Sequence, residues 1–311
     1  MSDKRAVLFV NAHSRRGAQW FREAEALLFR GGLKLEAAEL IKKSHEMQRQ
    51  VKAAVADGIP LIVCGGGDGT FNSVARLLST SSSVLGVLPF GTGNAFARDL
   101  GIETNIEHAC KTILGGNIVQ VDLGLVNDEP FLNMVSIGLT TLIVRNLTKE
   151  SKSILGPGAY MIALARAIAV AKPFRVSIGT DNNSESFETF QVVIGNGRFH
   201  AGPFPVAPDA GIQTGKLALY ALRSSNKWSL LTLGWSLSRG MDVDLSQVYS
   251  ISANGGTVST VPQKAVTVDG EVNARTPISF GMKSGALRVM APPLSEGEHL
   301  APACTNYPRV K

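Results

Sequence analysis

The sequence predicts two domains: an α/β domain on a parallel sheet over residues 1–125, then a mainly antiparallel β-sandwich over residues 126–311. The last residues of the second are free to return to the first. Three observations carry this. Strand-like and helical patterns alternate strictly up to about residue 125, as parallel βαβ units require. Beyond it, short strand-like runs separated by turn residues dominate. Three polar or glycine-rich loops each follow a strand-like run directly, which in an open α/β sheet gathers them at one carboxyl edge.

Residues 6–10 read as the first strand, ahead of the polar loop Asn11 to Gly17. Trp20, Ala24, Leu27 and Leu28 recur at helical spacing, and Gly31 and Gly32 stop that helix. A second strand is expected over 33–40 and a second helix over 47–56. Residues 59–63 form a continuous apolar run, as a strand buried on both faces needs, and Cys64 to Asn72 turn from it into a helical pattern at 73–78. A strand at 84–88 ends in Pro89, Phe90, Gly91, Thr92, Gly93 and Asn94 before a helix at 95–100. A helix at 106–114 and a strand at 119–123 complete the domain. In the second, strands are expected at 131–137, 174–178, 187–194, 217–222, 249–253, 265–268 and 287–290, with helices at 140–146, 159–171 and 228–237.

Composition bounds the function. Lys and Arg exceed acids by 14 to 12 over residues 1–125 and by 17 to 13 over the rest, a broad excess with no basic tail and no nucleic-acid motif, which argues against nucleic acid as the partner. Cys64, Cys110 and Cys304 are far apart and odd in number, which fits a reducing, cytoplasmic setting and no metal cluster. The start reads as a strand rather than a signal peptide. The most apolar later stretch, 159–171, is too short to span a bilayer and carries Arg166, so any membrane contact is expected to be peripheral.

The chemistry concentrates in the loops. Gly65, Gly66, Gly67 and Gly69 around Asp68 are backbone that a ligand must approach closely, and bare N–H groups at a helix N-terminus suit a phosphate. Asp68 would repel that phosphate unless a cation or a reacting hydroxyl lay between them, which points to Mg-nucleotide chemistry. Thr70, Asn72, Thr92 and Asn94 add hydroxyl and amide groups suited to phosphate oxygens or a hydrated cation. The plainer alternative is that the glycines serve only turn geometry and the threonines only cap helices.

Residues 65–72 and 89–98 together resemble the nucleotide-binding core of the diacylglycerol kinase catalytic-domain family, which includes bacterial lipid kinases and sphingosine kinases. Later segments match in order: Val121-Asp122-Leu123-Gly124, Phe131-Leu132-Asn133 with Ser136-Ile137-Gly138, Leu155-Gly156 before Tyr160, Gly195-Asn196-Gly197-Arg198, Ala207-Pro208-Asp209-Ala210 and Val268-Asp269-Gly270-Glu271. The resemblance covers roughly residues 5–292. It implies an active site between the two domains. It implies that Asn11, the segment Gly66, Gly67, Asp68, Gly69, Thr70, Asn72 and the loop Gly91, Thr92, Gly93, Asn94 hold ATP. It implies that Asp68 places Mg²⁺, with Asp122 a second metal candidate, and that Glu271 accepts the proton, with Asp269 beside it. By itself the 268–271 segment reads as a hairpin turn with solvated acids.

The sequence also departs from the family. Ala12 and His13 follow Asn11 where an Asn-Pro is usual, leaving a nucleotide contact from Arg15, Arg16 and Gly17 open, and Leu40 stands near a usual threonine. Gln213-Thr214-Gly215 replaces an Asp-Asp-Gly that supplies a structural Mg²⁺ ligand, so that site is not expected here. The resemblance implies an ATP- and Mg²⁺-dependent kinase of a membrane-lipid hydroxyl, diacylglycerol-like or sphingoid. The rivals are an NAD-kinase-like enzyme acting on a soluble alcohol, and a nucleotide- or lipid-binding protein without catalysis. Arg145, Lys149 and Lys152 fall on one helical face that either is simply solvated or meets anionic headgroups. The oligomeric state stays open, a dimer included.

Overall fold

A computed structural model of the chain describes residues 4–146, 163, 166–181, 183–201, 204–205, 211–224, 226 and 248–293. The expected helix at 228–237, residues 159–162 and 164–165 of that at 159–171, the segments at 155–160 and 207–210, and Lys149, Lys152 and Cys304 lie outside these residues.

Four parallel strands open the fold: β1 (Arg5–Asn11), β2 (Lys34–Ile41), β3 (Leu61–Gly66) and β4 (Val84–Pro89), in the order β2-β1-β3-β4. Leu8 lies opposite Val63, and Val63 opposite Gly86. The two central strands β1 and β3 are apolar throughout their interiors because helices cover both faces. Between the strands run α1 (Gly17–Arg30), α2 (Ser44–Ala56) and α3 (Asp68–Leu78), and after β4 come the short α4 (Ala95–Asp99) and α5 (Ile106–Gly115). α1 packs on α5, and α2 on α3. Each helix buries one stripe, such as Phe21, Ala24 and Leu28 of α1, against strand residues Leu8, Ile62 and Leu85 in one contiguous core.

The fifth strand does not extend the parallel set as the alternation predicts. β5 (Asn117–Val126) runs antiparallel to β18 (Ile278–Ala291), a 14-residue strand near the end of the described chain. The far half of β18 lies parallel to β4, with Val289 opposite Leu85, while its near half pairs antiparallel with β15 (Gly255–Val261). Leu287, Val289 and Met290 therefore belong to the first core and Ile278 and Phe280 to the second. One ten-stranded sheet runs from β2 through β18 to β15, β8 (Phe174–Thr180) and β9 (Asn183–Thr189), with β6 (Glu129–Phe131) attached to β5.

A six-stranded antiparallel sheet faces its second-domain half: β14 (Val248–Ala253), β13 (Leu217–Leu222), β10 (Gln191–Gly195), β7 (Met134–Gly138), β16 (Ala265–Val268) and β17 (Glu271–Arg275), in that order. Inward residues Val135, Ile137, Val192, Ile194, Leu219 and Val266 meet Val176, Ile178 and Val258 from the long sheet. α6 (Leu139–Asn146) follows β7 as expected, and β11 (Phe199–Ala201) and β12 (Phe204–Pro205) form a small separate ribbon.

Two expected strands are each broken in two. The run at 131–137 splits at Leu132 and Asn133 because their amides, with that of Met134, point at the Asp269 carboxylate instead of a neighbouring strand. The run at 187–194 splits at Phe190: the Thr189 hydroxyl takes the Gln191 amide and donates to the Gln191 carbonyl. That kink sends β9 and β10 into different sheets. β15 and β17 carry too few apolar residues to stand out in the sequence.

Candidate active site

The loops after β1, β2, β3 and β4 converge at the carboxyl edge of the parallel strands around a cleft of about 460 Å³. Close backbone contact explains the glycines. A Cβ on Gly91 would lie 2.5 Å from the Gly67 Cα, so the two glycine loops touch where neither can carry a side chain. A Cβ on Gly66 would meet the Thr70 Oγ1 at 2.5 Å. At Gly69, by contrast, the space is open. α3 starts without a side-chain cap from Gly67, so its first turn offers backbone N–H groups and the positive end of its dipole to the cleft. Asn11 Nδ2 donates to Thr70 Oγ1 at 3.0 Å and Asn11 Oδ1 accepts from the His13 amide at 2.9 Å, which couples the first loop to α3.

Of the predicted site residues, Asn11, Gly67, Gly69, Thr70, Gly91, Thr92 and Glu271 line this one cleft. Glu271 arrives from the second domain, exposed at the start of β17. The preceding turn has left-handed backbone at Asp269 (φ 47°) and Gly270 (φ 87°). His13, Arg15 and Lys43 add basic groups that the sequence reading left open or missed. Lys43 precedes α2, which begins at Ser44 and not at residue 47; the Lys42-Lys43-Ser44 run just past a strand end was the available signal. The neighbouring arginines diverge: Arg15 faces the cleft, whereas Arg16 lies over Trp20 at 4.4 Å, outside it.

Gly66, Asp68, Asn72, Gly93, Asn94, Asp122 and Asp269 do not line the cleft. Asp68 Oδ1 accepts from the Phe96 amide at 3.2 Å. Burial pushes its carboxyl above the usual range, and backbone amides of Phe96, Ala95, Asp68 and Asn94 pull it back in part. Asn94 is buried in left-handed backbone (φ 51°); its Oδ1 takes the Gly91 amide and its Nδ2 donates to the Gly91 and Pro89 carbonyls, so its polar atoms close the second loop on itself. Asn72 is buried on α3, where its Oδ1 has no hydrogen-bond partner among the described residues.

The two remaining acids are joints between segments. Asp269 accepts from the amides of Leu132, Asn133 and Met134 at 2.8–2.9 Å, and burial raises its carboxyl more than these amides and the Arg76 charge lower it. Asp122 takes the Gly215 amide on Oδ2 and the Gly285 amide on Oδ1, both at 2.8 Å, pinning β5 to the turn at 213–215 and to the irregularity in β18. Thr214 in that turn bonds only its own backbone neighbours. Among the described residues no group of three or more His, Cys, Asp or Glu side chains is placed to hold a metal.

Beside the cleft, Asn196 is fully buried and donates Nδ2 to the Asp122 and Leu132 carbonyls at 2.8 and 2.9 Å. Asp99 at the end of α4 accepts from the Arg198 amide at 2.9 Å, and a Cβ on Gly197 would fall 2.0 Å from the Asp99 carboxylate. The 195–198 segment thus ties the second domain to α4 and β5.

Comparison with known proteins places this architecture. The family model described as diacylglycerol kinase catalytic domain matches residues 5–126, and that described as YegS C-terminal NAD kinase beta sandwich-like domain matches residues 133–291. A protein named "Probable lipid kinase YegS" from Escherichia fergusonii is 33% identical over 69% of this chain and 73% of its own. An uncharacterized Synechocystis protein is 29% identical over 83% of this chain, and the match spans 60% of that relative's length. A crystal structure of a diacylglycerol kinase from Bacillus anthracis superposes with a TM-score of 0.74 at 20% identity, covering 93% of this chain and 97% of the other, and so shares the fold. The chain belongs to the diacylglycerol kinase catalytic-domain family of kinases.

Proposed function

We propose that this chain is an ATP- and Mg²⁺-dependent lipid kinase that transfers the γ-phosphoryl group to a hydroxyl of a membrane lipid, diacylglycerol-like or sphingoid. The single observation that carries this is Glu271: a carboxylate from the second domain lines the same cleft as the phosphate-type backbone of Gly67, Gly69 and Thr92. The family membership supports the lipid acceptor.

The cleft suits ATP because its floor is glycine backbone at a helix N-terminus and its wall carries Arg15 and Lys43. Those groups would hold and orient the phosphates, and Asn11 with Thr70 would keep the two loops in register. Asp68 lies between the cleft-lining Gly67 and Gly69 and would hold Mg²⁺ through water, and the cation would neutralise charge on the transferring group. Glu271 would take the proton of the acceptor hydroxyl as the new O–P bond forms. Asp269 would keep the turn that presents Glu271, and Asp122 would serve the domain joint.

Among the described residues no helix is long and apolar enough to cross a membrane, and in this proposal the lipid would be met peripherally. The test is incubation with γ-labelled ATP and a lipid panel, followed by organic extraction. Label in the organic phase that falls about 10²- to 10⁴-fold in Glu271→Gln is the expected result. Aqueous label that moves from ATP onto an added soluble alcohol such as NAD would favour the soluble-alcohol kinase that the second domain's family description suggests. Nucleotide binding without transfer to any acceptor would favour the non-catalytic reading.

A further inference from the structure

A second cavity, of about 580 Å³, shares no lining residue with the cleft. It opens between the start of α1 and the segment joining α4 to α5, and Arg16, Trp20, Arg98, Thr104 and Ile106 form its walls. We propose that it binds a phosphate oxyanion between Arg16 and Arg98 and that binding there acts on the second glycine loop.

Both arginines are half-buried, and among the described residues neither has a carboxylate partner. Each is instead held in position by uncharged groups. Arg16 stacks its guanidinium on Trp20 at 4.4 Å and donates one nitrogen to the Thr104 carbonyl at 3.3 Å. Arg98 donates Nε to the Gly93 carbonyl at 3.1 Å, which leaves its two terminal nitrogens for a partner. The N-terminus of α5, ten residues long and capped by Asn105, adds its dipole. The one acid on the wall, Glu103, is 65% exposed and pairs with His108. Two oriented guanidinium forks against one solvated carboxylate match a phosphate, whose planar oxygen pairs take two parallel N–H bonds.

The same residues reach the nucleotide cleft. The Arg16 amide donates to the Phe90 carbonyl at 3.1 Å and Arg98 holds the Gly93 carbonyl, on either side of Gly91 and Thr92. An anion drawn between the arginines would therefore bias the loop that carries Thr92, and a ligand in the cleft would change affinity for the anion by the same factor. The phosphate could come from a lipid headgroup or from a soluble compound.

The full chain saturated with ADP, so that phosphate positions of the cleft are filled, would be titrated calorimetrically with inorganic phosphate and co-sedimented with phosphatidylcholine vesicles with or without phosphatidylglycerol. Binding of phosphate points to a soluble source and binding confined to phosphatidylglycerol vesicles to a headgroup; either supports the site if it weakens about tenfold or more in the Arg16→Gln/Arg98→Gln double variant, about 1.4 kcal/mol. Thr104→Glu, at an exposed position on the rim, places a carboxylate among the arginines and should weaken binding equally if the double variant fails to fold. Absence of binding by both probes, or binding unchanged in a folded double variant or in Thr104→Glu, would overturn the proposal.

Discussion

Asp68 Oδ1 receives the Phe96 amide at 3.2 Å, so the first residue of α3 is fastened to the first turn of α4 and one glycine loop is locked to the other. The carboxylate that looks most like a metal ligand in the sequence is thus also a clasp. Asp68→Ala is expected to lower the unfolding free energy by about 1–3 kcal/mol, since it strands buried amides, whereas Asp68→Asn keeps an acceptor oxygen and should cost less. Urea denaturation of both variants checks this; equal stability of Asp68→Ala and the parent would remove the clasp.

The contact between Gly67 and Gly91 separates folding from phosphate binding. Gly91→Ala puts a methyl 2.5 Å from the Gly67 Cα and should loosen the loops and weaken both stability and ATP binding. Gly69→Ala meets nothing within 4 Å, so its thermal midpoint should stay near that of the parent while ATP affinity drops, because the methyl occupies phosphate space. ATP titration beside thermal melts reads both; undiminished ATP affinity in Gly69→Ala would place the phosphates elsewhere.

Asn196→Ala deletes the donor to two buried carbonyls, those of Asp122 and Leu132, at the joint between the domains. A loss of at least about 2 kcal/mol is expected, with activity falling through misalignment of the domains even where the chain remains folded. Chemical denaturation, and the activity of the folded fraction, measure the two effects. A variant as stable as the parent would show the joint to be held by other contacts.

Burial pushes the Cys64 thiol up to about 12. In the unfolded chain a thiol ionises near pH 8.5. Between about 8.5 and 12 the unfolded state therefore binds fewer protons than the native one, and this part of the stability is present below that window and is lost as pH rises through it. The slope from Cys64 is about 1.4 kcal/mol per pH unit within the window. Cys64→Ala should flatten the fall in urea midpoint between pH 8 and 10, and a parallel fall in both proteins would assign it to other groups. For the same reason Cys64 should resist alkylation at pH 8 until the protein is unfolded.

Much of the fold was legible because its signals are local. Apolar runs at 59–63 and 84–88 read as strands buried on both faces, and the glycines following them as turns. The turn at 268–271 was legible as a turn alone; that Glu271 faces the cleft depends on residues far away in the chain, since Asp269 reaches the amides of 132–134 to set the hairpin. β18 escaped a full reading because its residues serve two cores and carry Lys283, Ser284 and Gly285 in the middle, which interrupt the apolar pattern where Asp122 takes the Gly285 amide.

The sequence by itself determined the alternating strands and helices, the two glycine loops at one sheet edge and the family resemblance, because periodicity and glycine placement are properties of neighbouring residues. Only the tertiary structure decided which polar side chains face the cleft. Asn94, Asp122 and Asp269 have the residue types of a binding site, yet each spends its hydrogen-bonding groups on backbone that would otherwise be buried unsatisfied. Arg15 and Arg16, adjacent in sequence, serve different cavities because consecutive residues of a loop point apart. A buried amide recruits whichever carboxylate or carboxamide the fold brings within 3 Å, and no local pattern records which one that is.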